Sequence, residues 1–261
     1  MMMSKLEALI LGIIQGLTEF LPISSTGHLY LGRHLFGLDE AGLFLDTMLH
    51  VGTLLAVFVI YKDELKKIIK NPFGNLSMLL IVGTIPAVVV GFLFSHLFDS
   101  ISKTGITVGW EFLFTGFILW LADGMKNGSK RMESIGFGDA LFIGSFQALA
   151  IFPAVSRSGL TIAAGLFRKL DRETAAYFSF LLSIPAIAGG IVLQCAKMAS
   201  GHIEAVSLGS LLVATITSAL FGYAAVVWMI NFLKTKSLKI FAVYVWILGF
   251  TVLFLQFFHI F

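Results

Sequence analysis

Six stretches of this chain are apolar and long enough to cross a lipid bilayer: roughly 42–61, 78–98, 106–122, 174–198, 208–231 and 240–260. A helix rises about 1.5 Å per residue, so about 20 residues cover a hydrocarbon core of about 30 Å. No single water-facing fold hides that much apolar surface. Hydrophobic residues make up 57% of the chain and charged residues only 13%, where a soluble domain carries about a quarter charged. Lipid is therefore the solvent for most of it. Inside lipid each backbone polar group needs a partner within the protein, which leaves helices as the simplest spanning element. The predicted fold class is an all-α polytopic membrane protein.

Two regions, 5–36 and 137–168, behave differently. Each holds two apolar pieces of roughly 15 residues, separated by a proline (Pro22, Pro153) and followed by Ser, Thr and Gly. A piece of that length reaches only about 22 Å. The expectation is a re-entrant helical hairpin in each region. Broken backbone at membrane depth survives only where protein or a wet cavity covers it, so each break marks a site.

Basic residues orient the layout. Lys62, Lys66, Lys67 and Lys70 follow the first span, and Lys126, Lys130 and Arg131 follow the third. Arg168, Lys169 and Arg172 precede the fourth, and Lys234, Lys236 and Lys239 separate the last two. With six crossings these thirteen of the eighteen basic residues share one side. That side is cytoplasmic by the positive-inside rule, which puts both termini outside. The cluster 62–70 is expected to be a solvated loop. The N-terminus does not read as a cleavable signal: Lys5 is its one early base and Gln15, Thr18 and Glu19 interrupt the apolar run. The net charge of +3 is explained by these loops, and no nucleic-acid partner is expected. Cys195 is the single cysteine, which excludes an internal disulfide and a metal–thiolate cluster, and it is expected to pack.

The halves repeat at an offset of 132 residues. Gln15 falls on Gln147, Gly12 on Gly144, Phe20 on Phe152, Ser24 on Ser156, Thr26 on Ser158 and Gly27 on Gly159. The first repeat is 1–132, with hairpin 5–36 and three spans. The second is 133–261, with hairpin 137–168 and three spans. Three crossings are odd, so the second half enters from the opposite face. This is an inverted repeat, whose site is expected at the midplane where the broken helices meet.

Polar groups inside the membrane are costly and mark function. Gln15 and Glu19 lie four apart on one helix face, and Ser25 and His28 three apart on another. Ser24 and Ser156 are expected N-caps of the helices after each break. Arg157 takes the slot of Ser25 in the second hairpin. Two inward helix N-termini and a guanidinium suit a phosphate. Glu19 near such an anion needs a metal, a proton or a role as base. His28 can be nucleophile or proton donor. Phosphoryl transfer asks mainly for positioning and charge stabilisation, and this set supplies both. Asp46 and His50, at i and i+4 on the first span, are candidates for a supporting or metal role. His34, His96, His202 and His259 fall near span ends.

The run from Gln15 to His28 resembles the [E/Q]-x-x-x-E plus P-x-S-S-T-G-H signature of the undecaprenyl-diphosphate phosphatase family. Residues 153–161 resemble that family's P-G-x-S-R-S-G-x-T signature, with Ala154 where glycine is usual. The resemblance spans the whole chain. It implies hydrolysis of undecaprenyl diphosphate to the monophosphate, recycling the lipid carrier of peptidoglycan synthesis and conferring bacitracin resistance. It also implies a bacterial inner-membrane location, a site opening toward the outer face, and a divalent cation such as magnesium. Carried over by position, it makes Glu19, Ser25, His28 and Arg157 catalytic, with Glu19 also a metal ligand. Gln15, Ser24, Thr26, Ser156 and Ser158 bind substrate alongside Arg157. Whether His28, Ser25 or water attacks phosphorus stays open, as does a homo-oligomeric state. A secondary transporter or lipid flippase with a midplane anion site is the rival that inverted repeats alone favour.

Overall fold

The structure, a computed structural model, describes residues 3–38, 43–125, 128–199 and 206–258. Eleven α-helices and no strand occur among them: α1 (Lys5–Phe20), α2 (Ser25–Leu35), α3 (Leu43–Ile60), α4 (Lys62–Lys70), α5 (Asn75–Thr104), α6 (Val108–Asp123), α7 (Phe137–Leu149), α8 (Arg157–Phe167), α9 (Arg172–Ala199), α10 (Leu208–Thr235) and α11 (Lys239–Phe257). Four of these, α5, α9, α10 and α11, contain a segment long and apolar enough to cross a membrane. The bent pair α3–α4 makes a fifth if it is counted as one span. The chain is a multi-pass membrane protein. The segment predicted at 106–122 is the 16-residue α6, shorter than the others.

The expected pairs of short helices are present. α1 and α2 are separated by residues 21–24, and α7 and α8 by residues 150–156. Ser4 opens α1 with a capping box, exchanging hydrogen bonds with Glu7. Each first helix packs across the molecule, α1 on α10 and α7 on α5. Both contacts depend on glycine. A Cβ on Gly16 would lie 2.7 Å from the Ser218 carbonyl, and one on Gly144 would lie 2.1 Å from that of Gly83. Small residues let backbones meet in this way where no hydrophobic drive separates protein from lipid.

The basic loops collect at one end. Lys130 donates its N–H to the Lys169 carbonyl at 3.0 Å, and Arg172 pairs with Asp123 at 2.8 Å. One cleft is bordered by Glu64, Lys67, Arg131, Glu173 and Lys234. Lys126 lies outside the described residues. Residues 62–70 form a helix bent 80° from α3, not a solvated loop. Leu65 and Ile68 line an apolar groove beside Ile81 and Ile184, while Lys62, Lys66 and Lys70 stay exposed. That division of one helix between apolar and aqueous surroundings is what an interfacial segment requires. Cys195 is exposed rather than packed, because its stretch of α9 presents much of its surface outward.

Candidate active site

The two breaks meet. Ser158 Oγ donates to the Leu21 carbonyl at 2.9 Å, tying the start of α8 to the end of α1. Gly159 lies against Pro22, and Gly27 against Ala154. Ser24 and Ser156 both act as N-caps, accepting from Gly27 N–H at 3.3 Å and Gly159 N–H at 3.1 Å. Ala154 is buried at negative φ, so its methyl group fits where the family pattern has glycine.

Glu19 is the centre. It is 7% exposed, and each carboxylate oxygen is engaged. Arg157 Nη2 donates to Oε1 at 2.5 Å. Ser25 Oγ donates to Oε2 at 2.5 Å, and Gln15 Nε2 to the same oxygen at 3.0 Å. A buried carboxylate must be paired and hydrogen-bonded, and this one is. Two polar atoms remain over. Arg157 Nη1 and Gln15 Oε1 are buried with no partner among the described residues. Such orphans call for a ligand, water or ion.

Four of the expected site residues, Gln15, Glu19, Ser25 and Arg157, therefore converge. Ser24, Ser156 and Ser158 stand beside them as caps and stitches. His28 does not touch Glu19, Ser25 or Arg157 among the described contacts. Its Nδ1 meets the Ser24 carbonyl at 2.7 Å and its Nε2 the Tyr244 hydroxyl at 2.8 Å. The carbonyl can only accept, so Nδ1 carries the proton, and neutral His28 accepts from Tyr244 at Nε2. Thr26 is half-buried on the first turn of α2, with no hydrogen bond from its side chain among the described residues.

The Asp46 and His50 pair divides. Asp46 is taken by Arg33 in an ion pair. His50 turns to the site, with Nδ1 on the Asp46 carbonyl at 2.7 Å and Nε2 3.8 Å from Glu19 Oε2. That distance exceeds a hydrogen bond. His34 is exposed near the end of α2. The side chain of His96, and His202 and His259 altogether, lie outside the described residues. Gln147, the repeat partner of Gln15, is 2% exposed with neither amide atom partnered among the described residues. Ile151 stands where the first half has Glu19. At that offset the second half carries the amide and no acid.

Glu111, Thr115 and Tyr244 were not among the expected site residues. Glu111 carried a signal: it is the one carboxylate in the apolar stretch 106–122, and an ionisable group at such a place is functional by default.

A metal-binding group of three or more His, Cys, Asp or Glu side chains is absent among the described residues. Magnesium needs less, one or two carboxylates with the rest from substrate phosphates and water. Glu19 and the orphan Gln15 Oε1 fit that partial set.

Residues 8–251 match the model of the family described as Bacitracin resistance protein BacA. The chain belongs to that family. It is 68% identical over 259 residues to the Undecaprenyl-diphosphatase 4 of Bacillus thuringiensis (strain Al Hakam), covering 99% of this chain and all of that protein. Similarity to the Undecaprenyl-diphosphatase of Carboxydothermus hydrogenoformans is 47% identity over 256 residues, covering 97% of this chain and 98% of the relative. That of Halothermothrix orenii is 40% identical over 255 residues with the same coverage. Members of the family thus match this chain nearly end to end, hairpins included.

Proposed function

We propose that this chain hydrolyses undecaprenyl diphosphate to undecaprenyl phosphate and inorganic phosphate, recycling the lipid carrier of peptidoglycan synthesis. One observation carries the reading. In a chain 68% identical to a diphosphatase, a buried carboxylate holds a serine hydroxyl on one oxygen and an arginine on the other.

That arrangement is a nucleophile with its base, and the base oriented by further groups. Glu19 takes the Ser25 proton as Oγ attacks the terminal phosphorus. The bond from phosphorus to the bridging oxygen breaks, and its electrons leave with undecaprenyl phosphate. Water then releases phosphate from Ser25, which recovers its proton from Glu19. Arg157 keeps Nη2 on Glu19 while the orphan Nη1 receives a phosphate oxygen. The N-termini of α2 and α8 add free N–H groups. His28, one turn beyond Ser25 on the same face of α2, takes up a proton at Nε2 as the phosphate enters and donates it in a hydrogen bond to a phosphate oxygen in place of the Tyr244 contact. Magnesium on Glu19 and Gln15 would neutralise charge on the phosphate oxygens.

The same reading makes the two short-helix pairs re-entrant hairpins among six crossings, related as inverted repeats. The exchange of packing partners, α1 on the middle span of the second half and α7 on that of the first, supports it. So does the gathering of basic loops at one end, which is the cytoplasmic end of a protein in the bacterial cytoplasmic membrane. The termini and the mouth of the site then face outward.

Phosphate release from a polyprenyl diphosphate in detergent tests the site. Glu19→Gln and Arg157→Ala should each lose about a thousandfold in kcat/KM or more. Full hydrolysis by both variants would overturn it.

A further inference from the structure

The break between α7 and α8 does not satisfy its own backbone. Val155 N–H reaches the Phe152 carbonyl at 3.1 Å, and Gly159 N–H reaches the Ser156 side chain. The N–H groups of Ala154 and Ser156, both buried, find their acceptors elsewhere, on α6. A Glu111 carboxylate oxygen accepts from Ala154 N–H. Thr115 Oγ1, one turn along the same helix face, accepts from Ser156 N–H at 3.1 Å. Thr115 is oriented in turn by donating to the Glu111 carbonyl at 3.0 Å. Both side chains are more than nine-tenths buried. Arg157 is the next residue after Ser156, so this pair of acceptors fixes the peptide from which the guanidinium departs.

We propose that Glu111 and Thr115 are positioning residues that set the reach of Arg157 to Glu19, and that Glu111 acts as a hydrogen-bond acceptor, not as a charge or an acid. The proposal rests on the reading of Arg157 as the phosphate-binding group. Three features support it. Glu111 has no basic side chain paired with it among the described residues; besides the Ala154 N–H, the polar group beside its carboxyl is the uncharged Thr107 hydroxyl. The role uses one acceptor oxygen, which an amide also offers. The neighbouring Phe112 packs edge-on to His28 and against Gly27 of the other hairpin. Three consecutive inward positions of α6 therefore index both breaks to one helix.

The experiment compares Glu111→Gln with Glu111→Leu, and Thr115→Ser with Thr115→Val, by steady-state hydrolysis of a polyprenyl diphosphate in detergent. Thermal midpoints are measured alongside. The Gln and Ser variants keep an acceptor and should stay within about threefold of the parent in kcat/KM, with an unchanged pH profile for Glu111→Gln. The Leu and Val variants strand a buried N–H and should fall roughly tenfold or more. If Glu111→Gln falls as far as Glu111→Leu, the charge matters and the proposal is overturned. Retention of full activity by Glu111→Leu and Thr115→Val overturns it equally. Arg157→Ala, run in parallel, separates the two layers. Full activity there defeats the site reading itself, whereas its loss beside active Leu and Val variants defeats only the positioning role.

Discussion

The two breaks share one sequence pattern, a proline followed by a serine cap and a glycine three residues later, and the structure treats them in opposite ways. The first closes on itself. Ile23 N–H bonds to the Leu21 carbonyl at 2.8 Å, and Ser24 sits at φ 72°, ψ 104°, where side chains other than glycine rarely go. The second is held from outside by α6, and its cap Ser156 has an ordinary φ of −74°. The tight, strained turn carries the base and the hydroxyl; the braced one carries the arginine. Reacting groups occupy the turn that must be over-determined locally, and the charge that must only be aimed is aimed by a neighbour.

Variants can break or sharpen this contrast. The largest effect belongs to the reacting side: Ser25→Ala should lose roughly a hundredfold or more in kcat with an unshifted thermal midpoint. Label from a terminally radiolabelled diphosphate should also fail to appear on the protein. Next is the seam between the breaks. A Cβ at Gly27 would lie 2.6 Å from Phe112 and 3.0 Å from the Ala154 methyl. Gly27→Ala should cost about 1–3 kcal/mol of stability, read by denaturation in detergent, and lower activity by parting the hairpins. A smaller and more telling pair is Ser24→Gly against Ser156→Gly. Glycine relieves the positive φ at the first position and should raise the midpoint there, by roughly 1 kcal/mol less the cap. At the second it relieves nothing and should lower it slightly.

The smallest effect lies at the end where the basic loops collect. Burial alone would raise the Asp139 carboxyl. Hydrogen bonds from Arg168, the Gly136 N–H and Lys130 outweigh it and hold the group below the ordinary carboxylate range. A depressed folded value stabilises above the unfolded value of about 4. That contribution should fade as pH falls through the acid range and be missing in Asp139→Asn.

The sequence made the helices legible because apolar length and proline placement leave few alternatives in lipid. The Glu19, Ser25 and Arg157 cluster was legible because charge inside an apolar run has to be accounted for. Three things were hidden. The 80° bend between α3 and 62–70 sets Leu65 and Ile68 beside residues of α5 and α9 far away in the chain. Which of Asp46 and His50 faces the site was decided by Arg33, on another helix. The partner of His28 is Tyr244, 216 residues on, with no spacing to announce it.

That α1 rests on α10 has a bearing on biosynthesis. The segment bearing the carboxylate leaves the ribosome early, yet the surface that receives it is made near the end. Until α10 is made, Gly12 and Gly16 of α1 have no backbone to seat against. The centre of the enzyme is thus finished late in its own synthesis, and a truncated chain would keep its glutamate without a cradle to hold it.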